Sequence, residues 1–125
     1  MERNWDTIRE ILLKLEKMEP EKGCIRLSDF PSDKAYEYSY NVELPMEAGL
    51  IHGDMSKTLG THASDFLAIR LTWEGHEFLD TVRSETVWNK AKDSFVKGGV
   101  SMTFDLVKSV ATDIAAAYLK STVGS

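Results

Sequence analysis

Three histidines, one cysteine and a scatter of carboxylates are the side chains of this sequence that could hold a metal or move a proton. His52, His62 and His76 form no His-x-x-x-His pair, and Cys24 stands in no Cys-x-x-Cys. A zinc site needs three or four converging ligands. His52 with Asp54, or His62 with Asp65, falls short of that. Cys24 would be a nucleophile only beside a base in an electropositive pocket. Its sequence neighbours supply none, so it reads as a buried, inert thiol. Glu74, Glu77 and Asp80 follow helix spacing and read as a solvated face. The Gly-x-Ser-x-Gly elbow, the Gly-rich phosphate loop and Gly-x-Gly-x-x-Gly are all missing. These residues predict no catalysis, no metal and no cofactor.

Binding chemistry is the better prospect. From Asp33 to Leu50, Lys34 is the one cation, set against Asp33, Glu37, Glu43 and Glu47. A helix that reads DNA offers Arg, Lys, Asn or Gln to bases and phosphates. Here Ser39 and Asn41 could contact bases, but carboxylates facing phosphates cost affinity. Tyr36, Tyr38 and Tyr40 crowd the same segment. Tyrosine suits interfaces because it adds contact area with a polar tip. In the plainer arrangement, Tyr36 and Tyr40 enter the core and Tyr38 only shields the surface. Further along, Lys57, Thr58, His62 and Arg70 could touch a phosphate backbone, although a solvated hairpin loop explains them as well. Tyr38, Ser39, Asn41, Lys57, Thr58 and His62 are therefore the candidate interaction residues. The preferred partner is a protein. DNA stays open as the alternative, disfavoured by the acidic segment.

The C-terminal stretch carries a second candidate surface. Val107, Val110, Ala111, Ile114 and Tyr118 form one apolar stripe, flanked by Phe104 and Leu106, with Lys108, Ser109, Thr112 and Asp113 opposite. The stripe could pack on the chain's own core. It could also form a homodimer seam through Phe104, Val107, Val110, Ile114 and Tyr118. Its polar face is not rich in Lys or Arg, which argues against a membrane surface.

Composition bounds these readings. The chain has 125 residues, 42% hydrophobic and 28% charged, values of a globular domain and not of a disordered one. The net charge of −5 repels phosphate backbones on average, and no segment forms a basic arm. A lone cysteine makes no internal disulfide. The opening Met1-Glu2-Arg3-Asn4-Trp5-Asp6 has no apolar h-region. The longest apolar run, Ile114–Leu119, has six residues, against the about 20 that span a bilayer. A cytoplasmic protein without membrane contact is expected.

The elements that must position these residues follow from hydrophobic period and turn chemistry. Trp5, Ile8, Ile11, Leu12, Leu15 and Met18 mark a first helix, capped by Asn4 or Asp6 and ended by Pro20 and Gly23. Ile25 to Leu27 is a short apolar bridge, and Ser28 to Asp33 is a turn. Residues 36–50 fit two periods. Tyr36, Tyr38, Tyr40, Val42 and Leu44 alternate as in a strand, whereas Tyr36, Tyr40, Leu44 and Ala48 recur as on a helix. Pro45 suits neither interior, and Gly49 suits a helix end. An extended stretch begins at Leu50-Ile51. Gly53, Asp54, Gly60 and Thr61 mark a loop, and Phe66 to Leu71 returns, making a hairpin. Helices follow with Phe78, Leu79 and Val82 inward, then Val87, Trp88, Ala91 and Phe95. Gly98-Gly99 reads as a hinge before a last helix from about Ser101 to Lys120.

Glu47-Ala48-Gly49-Leu50-Ile51 resembles the end of the recognition helix and the first wing strand of winged-helix proteins. Arg70-Leu71-Thr72-Trp73-Glu74-Gly75-His76-Glu77-Phe78-Leu79 resembles their second wing strand and following helix. The run on to Lys90, with the opening Trp5-Asp6-x-Ile8-Arg9-x-Ile11-Leu12, is similar to a family of small bacterial and phage proteins, domain of unknown function 2513. That resemblance implies a winged helix over 1–97 with an added C-terminal helix over 100–121. The class is then α+β, mostly α. It also implies a phage or prophage context, and it favours helix over strand at Tyr40 to Leu44, where Pro45 departs from the usual helix former. It implies no activity.

Overall fold

The computed structural model describes residues 1–56 and 62–123. Among the described residues the chain is α+β and mostly helical, with five α-helices and one two-stranded antiparallel sheet. It divides into two compact units, Met1–His76 and Glu77–Ser125. The division falls within the helix Trp73–Val82.

In the first unit, helix α1 (Trp5–Lys17) starts on Asn4, whose side-chain oxygen accepts the N–H of Thr7. That bond satisfies one of the free donors of the first turn. Ile8, Ile11, Leu12 and Leu15 point inward along the expected stripe. Three short 3-10 turns lead on to helix α2 (Ala35–Glu47), so the ambiguous segment is a helix. Pro45 lies in its last turn and is buried there. Pro45 has no N–H to give the Asn41 carbonyl, and the helix ends two residues after it. Its end is a Schellman motif: Leu50 N–H donates to the Pro45 carbonyl, and Gly49 N–H to that of Met46. Gly49 supplies the left-handed φ of 80° that this closure needs.

Strand β1 (Ile51–Met55) pairs with β2 (Phe66–Leu71), Ile51 opposite Leu71 and Met55 opposite Phe66. Gly53 and Asp54, read from sequence as loop residues, belong to β1. A bulge between His52 and Gly53 shifts the register, and a side chain at Gly53 would strike the Leu67 carbonyl. The sheet gains a third, one-residue partner at Ile25. Its N–H donates to the Ala68 carbonyl at 2.8 Å, and its carbonyl accepts from the Ala68 N–H at 2.9 Å.

Helix α3 (Trp73–Val82) opens on Thr72. The Thr72 hydroxyl accepts the N–H of Gly75 at 3.0 Å and donates to the Gly49 carbonyl at 2.5 Å. Gly75 sits directly against the Leu50 carbonyl, where no side chain fits. The Leu-Thr-x-x-Gly spacing thus has a packing cause: threonine caps the helix while glycine lets it approach the strand entrance.

The second unit takes in the rest of α3, helix α4 (Glu85–Gly98) and helix α5 (Phe104–Val123). Ser84 caps α4 by accepting the N–H of Val87. Its buried apolar residues include Phe78, Leu79, Val82, Trp88, Ala91, Phe95, Val107 and Ala111. Gly99 adopts a φ of 64°, Val100 N–H donates to the Phe95 carbonyl, and Gly99 N–H to that of Val96. The Gly98-Gly99 pair is therefore a second Schellman closure and not a free hinge, because both backbone donors are engaged. No helix among the described residues is long and apolar enough to cross a membrane.

Candidate functional site

Helix α2 has two faces of opposite character. The inward face is fixed by a ring stack and a set of side-chain hydrogen bonds. Tyr38 stacks on Phe30 with ring centroids 4.3 Å apart, and Phe30 in turn lies against Phe66. The Tyr38 hydroxyl donates to Glu10 at 2.7 Å. Ser39 donates to the Ser64 carbonyl at 2.7 Å. Asn41 is fully buried, accepting the Asn4 N–H and donating to the Glu37 carbonyl. Glu37 turns toward α1, where its carboxylate accepts from Asn4 and from the Thr7 hydroxyl at 2.8 and 3.0 Å.

The candidates Tyr38, Ser39 and Asn41 therefore lie inside and hold the helix in place. The tyrosines are phased opposite to the expected arrangement: Tyr38 is 9% exposed and Tyr36 is 53% exposed. Helical period alone could not choose, since either phase turns part of the tyrosine set outward. The Phe30 stack and the Glu10 acceptor, both distant in sequence, decide it.

Hydrogen bonding to Glu10, reinforced by burial and by the negative charges of Glu10 and Glu37, pushes the Tyr38 phenol up to about 12. The hydroxyl is a structural donor at any ordinary pH, not a proton-transfer group.

The outward face carries Tyr36, Tyr40, Glu43 and Glu47. Their positions step by four, three and four residues, the spacing of a single helix stripe. Tyr36 and Glu47 are exposed at its ends, and Tyr40 and Glu43 are half-buried between them. The surface is thus aromatic and acidic, with Lys34 exposed just before the helix. The spacing was present in the sequence, but Leu44 and Ala48 completed a competing stripe with Tyr36 and Tyr40 and masked it.

On the hairpin, His52 lies opposite Arg70, both exposed. His62 is exposed as well. Lys57 and Thr58 lie outside the described residues. Among the described residues of the hairpin, Arg70 is the one fixed cation, a thin supply for a phosphate backbone.

The C-terminal stripe is largely used within its own unit. Val107 and Ala111 are buried, and Phe104 meets Phe78 edge-on at 5.3 Å. Val110 and Ile114 are half-buried. Tyr118 is exposed beneath the Lys90 ammonium, 4.6 Å from its ring centre. The candidates for self-association thus divide into residues already packed, wholly or in part, and Tyr118, which stays exposed, as do Leu106 and Leu119 on the same helix.

Among the described residues no three His, Cys, Asp or Glu side chains gather as a metal site would require. Every buried side-chain polar atom among them has a hydrogen-bond partner. Cys24 is half-buried.

The model of a family described as a hypothetical protein, DUF2513, matches residues 2–101. An "uncharacterized protein" of Haemophilus influenzae (strain Rd) is 37% identical over 119 residues, covering 95% of this chain and 99% of that protein. No solved structure matches the chain.

Proposed function

This chain belongs to the DUF2513 family, and we propose that it is a non-catalytic winged-helix module that docks a protein partner on the outer face of α2. The observation that carries this reading is the stripe of Tyr36, Tyr40, Glu43 and Glu47 turned away from the core. Tyrosine supplies the contact area and the carboxylates the charge. The matching partner presents Lys or Arg opposite Glu43 and Glu47, and an apolar recess for Tyr36.

The winged-helix part of the reading rests on element order. Helix α1, the strand residue Ile25 bridged to Ala68, short helical turns, α2 and the β1–β2 hairpin follow one another as in that fold. In it, α2 takes the place of the helix that reads a DNA groove. Its buried Asn41 and its outward glutamates suit that task poorly, because neither offers a donor to a base or a phosphate.

A photo-crosslinking side chain at position 36, introduced in the cells that make the protein, tests the reading. The expected result is one discrete protein adduct that disappears when Glu43 and Glu47 are changed to lysine. The competing reading, a DNA-binding regulator, predicts tight, salt-sensitive and sequence-dependent duplex binding in a fluorescence polarisation assay. That result, with no protein adduct at position 36, would overturn the proposal.

A further inference from the structure

A second feature of the first unit lies away from α2's outer face. Lys14, Lys17 and Met18 at the end of α1, Lys22 in the following 3-10 turn, Ile25 and Asp29 line an open recess of about 420 Å³. That volume falls within the range of small-molecule sites. Its floor is apolar, with Met18 half-buried and Ile25 buried. Its rim holds three ammonium groups and one carboxylate.

The carboxylate is already committed. Asp29 Oδ1 accepts from Lys22 Nζ at 2.9 Å, and Oδ2 accepts from the Arg26 N–H at 2.8 Å. Asp29 is engaged with Lys22, and the charge of Lys14 acts on it as well, so three ammonium groups against this one carboxylate leave the lining a net +2. Lys14 Nζ sits 4.9 Å above the Phe30 ring, which fixes its direction without cancelling its charge. Lys17 makes no ion pair among the described residues. A lining with a net charge of +2 stands out in a chain whose net charge is −5.

Lysines in a last helical turn also favour the negative end of the helix dipole. That accounts for Lys14 and Lys17 as residue types. It does not account for Lys22, which comes from another element, or for the apolar-floored recess between them.

We propose that this cavity binds a small phosphate monoester. The dianion would lie between Lys14 and Lys17, with its organic group on Met18 and Ile25. A phosphate monoester carries close to two negative charges at neutral pH and accepts several charge-assisted hydrogen bonds. Its charge matches the net +2 of the lining, and its ester group uses the apolar floor that inorganic phosphate would leave empty. The proposal is independent of the role given to α2.

The test is an amide NMR titration of the full chain with phenyl phosphate at constant ionic strength, with inorganic phosphate and sodium benzoate run in parallel. Saturable shifts confined to residues 14–29 are expected, with phenyl phosphate binding about tenfold tighter than either control, the scale of one further favourable contact. Lys17→Gln, which removes an exposed charge and keeps the side-chain length, should weaken binding about tenfold, as loss of one charge-assisted bond does. Lys97→Gln, on the second unit, should change nothing. An unchanged circular dichroism melt shows that each variant is folded. Non-saturating shifts, equal binding of benzoate, or undiminished affinity in Lys17→Gln would overturn the proposal.

Discussion

The side chain of Asn41 bridges the start of α1 and the body of α2. Its Oδ1 accepts the Asn4 N–H at 2.9 Å, and its Nδ2 donates to the Glu37 carbonyl at 2.8 Å. With Asn4 also donating to Glu37 and capping Thr7, one buried amide organises the joint between the two helices. Replacing Asn41 with leucine strands the Asn4 N–H, while the Glu37 carbonyl keeps its helical bond from the Asn41 backbone. A loss of about 1–3 kcal/mol is expected, the cost of orphaning buried polar groups. Urea unfolding followed by tryptophan fluorescence checks it. A variant as stable as the parent would show that Asn41 does not hold this joint.

Tyr38 predicts a specific alkaline weakness. Its phenol is held by Glu10 and titrates near 12, against 10.0 in an unfolded chain. The folded state therefore keeps the proton longer. The stability this contributes is fully present below pH 10 and is lost as pH rises through 10 towards 12. Tyr38→Phe should cost about 1 kcal/mol at neutral pH by losing the bond to Glu10. It should also flatten the fall in stability on the alkaline side. Urea midpoints measured across that range decide the matter, and parallel curves for parent and variant would refute it.

Gly75 and Gly98 should respond oppositely to alanine. At Gly75 the new methyl meets the Leu50 carbonyl, backbone that cannot step aside. A penalty of about 1–3 kcal/mol follows, as for overpacking in general. At Gly98 the nearest atom is a Val100 methyl at 3.8 Å, an ordinary contact. Alanine there should be neutral or stabilising by up to about 1 kcal/mol, through the smaller entropy of the unfolded chain. Thermal melts of the two variants test the contrast.

Val107 and Leu119 lie on one helix, yet only the first is buried, at 0% against 65% exposure. Val107→Ala should destabilise by about 2 kcal/mol through lost burial and the cavity left behind. Leu119→Ala should stay within about 0.5 kcal/mol of the parent, as exposed sites do. Light scattering on both variants adds an independent readout. If Leu119→Ala lowers the mass in solution, the outer side of α5 joins two copies of the chain.

The sequence alone determined the helices with unambiguous stripes. α1, the Phe66–Leu71 strand and the C-terminal helix follow from local period, and Asn4 announces the start of α1 and Gly49 the end of α2 by chemistry that needs no distant partner. It also excluded the common catalytic motifs, because those have fixed local spacings. Tertiary structure decided the rest. Residues 36–50 satisfied two periods at once, and the resemblance that tipped them to helix could not set the rotation. That rotation depends on Phe30 and Glu10, which are remote in sequence, and it turned Tyr38, Ser39 and Asn41 from surface candidates into buried ties. Likewise, the cavity charge of Lys14, Lys17 and Lys22 appeared only when separate elements met. A periodic pattern fixes which residues share a face; only packing against other parts of the chain fixes which way that face points.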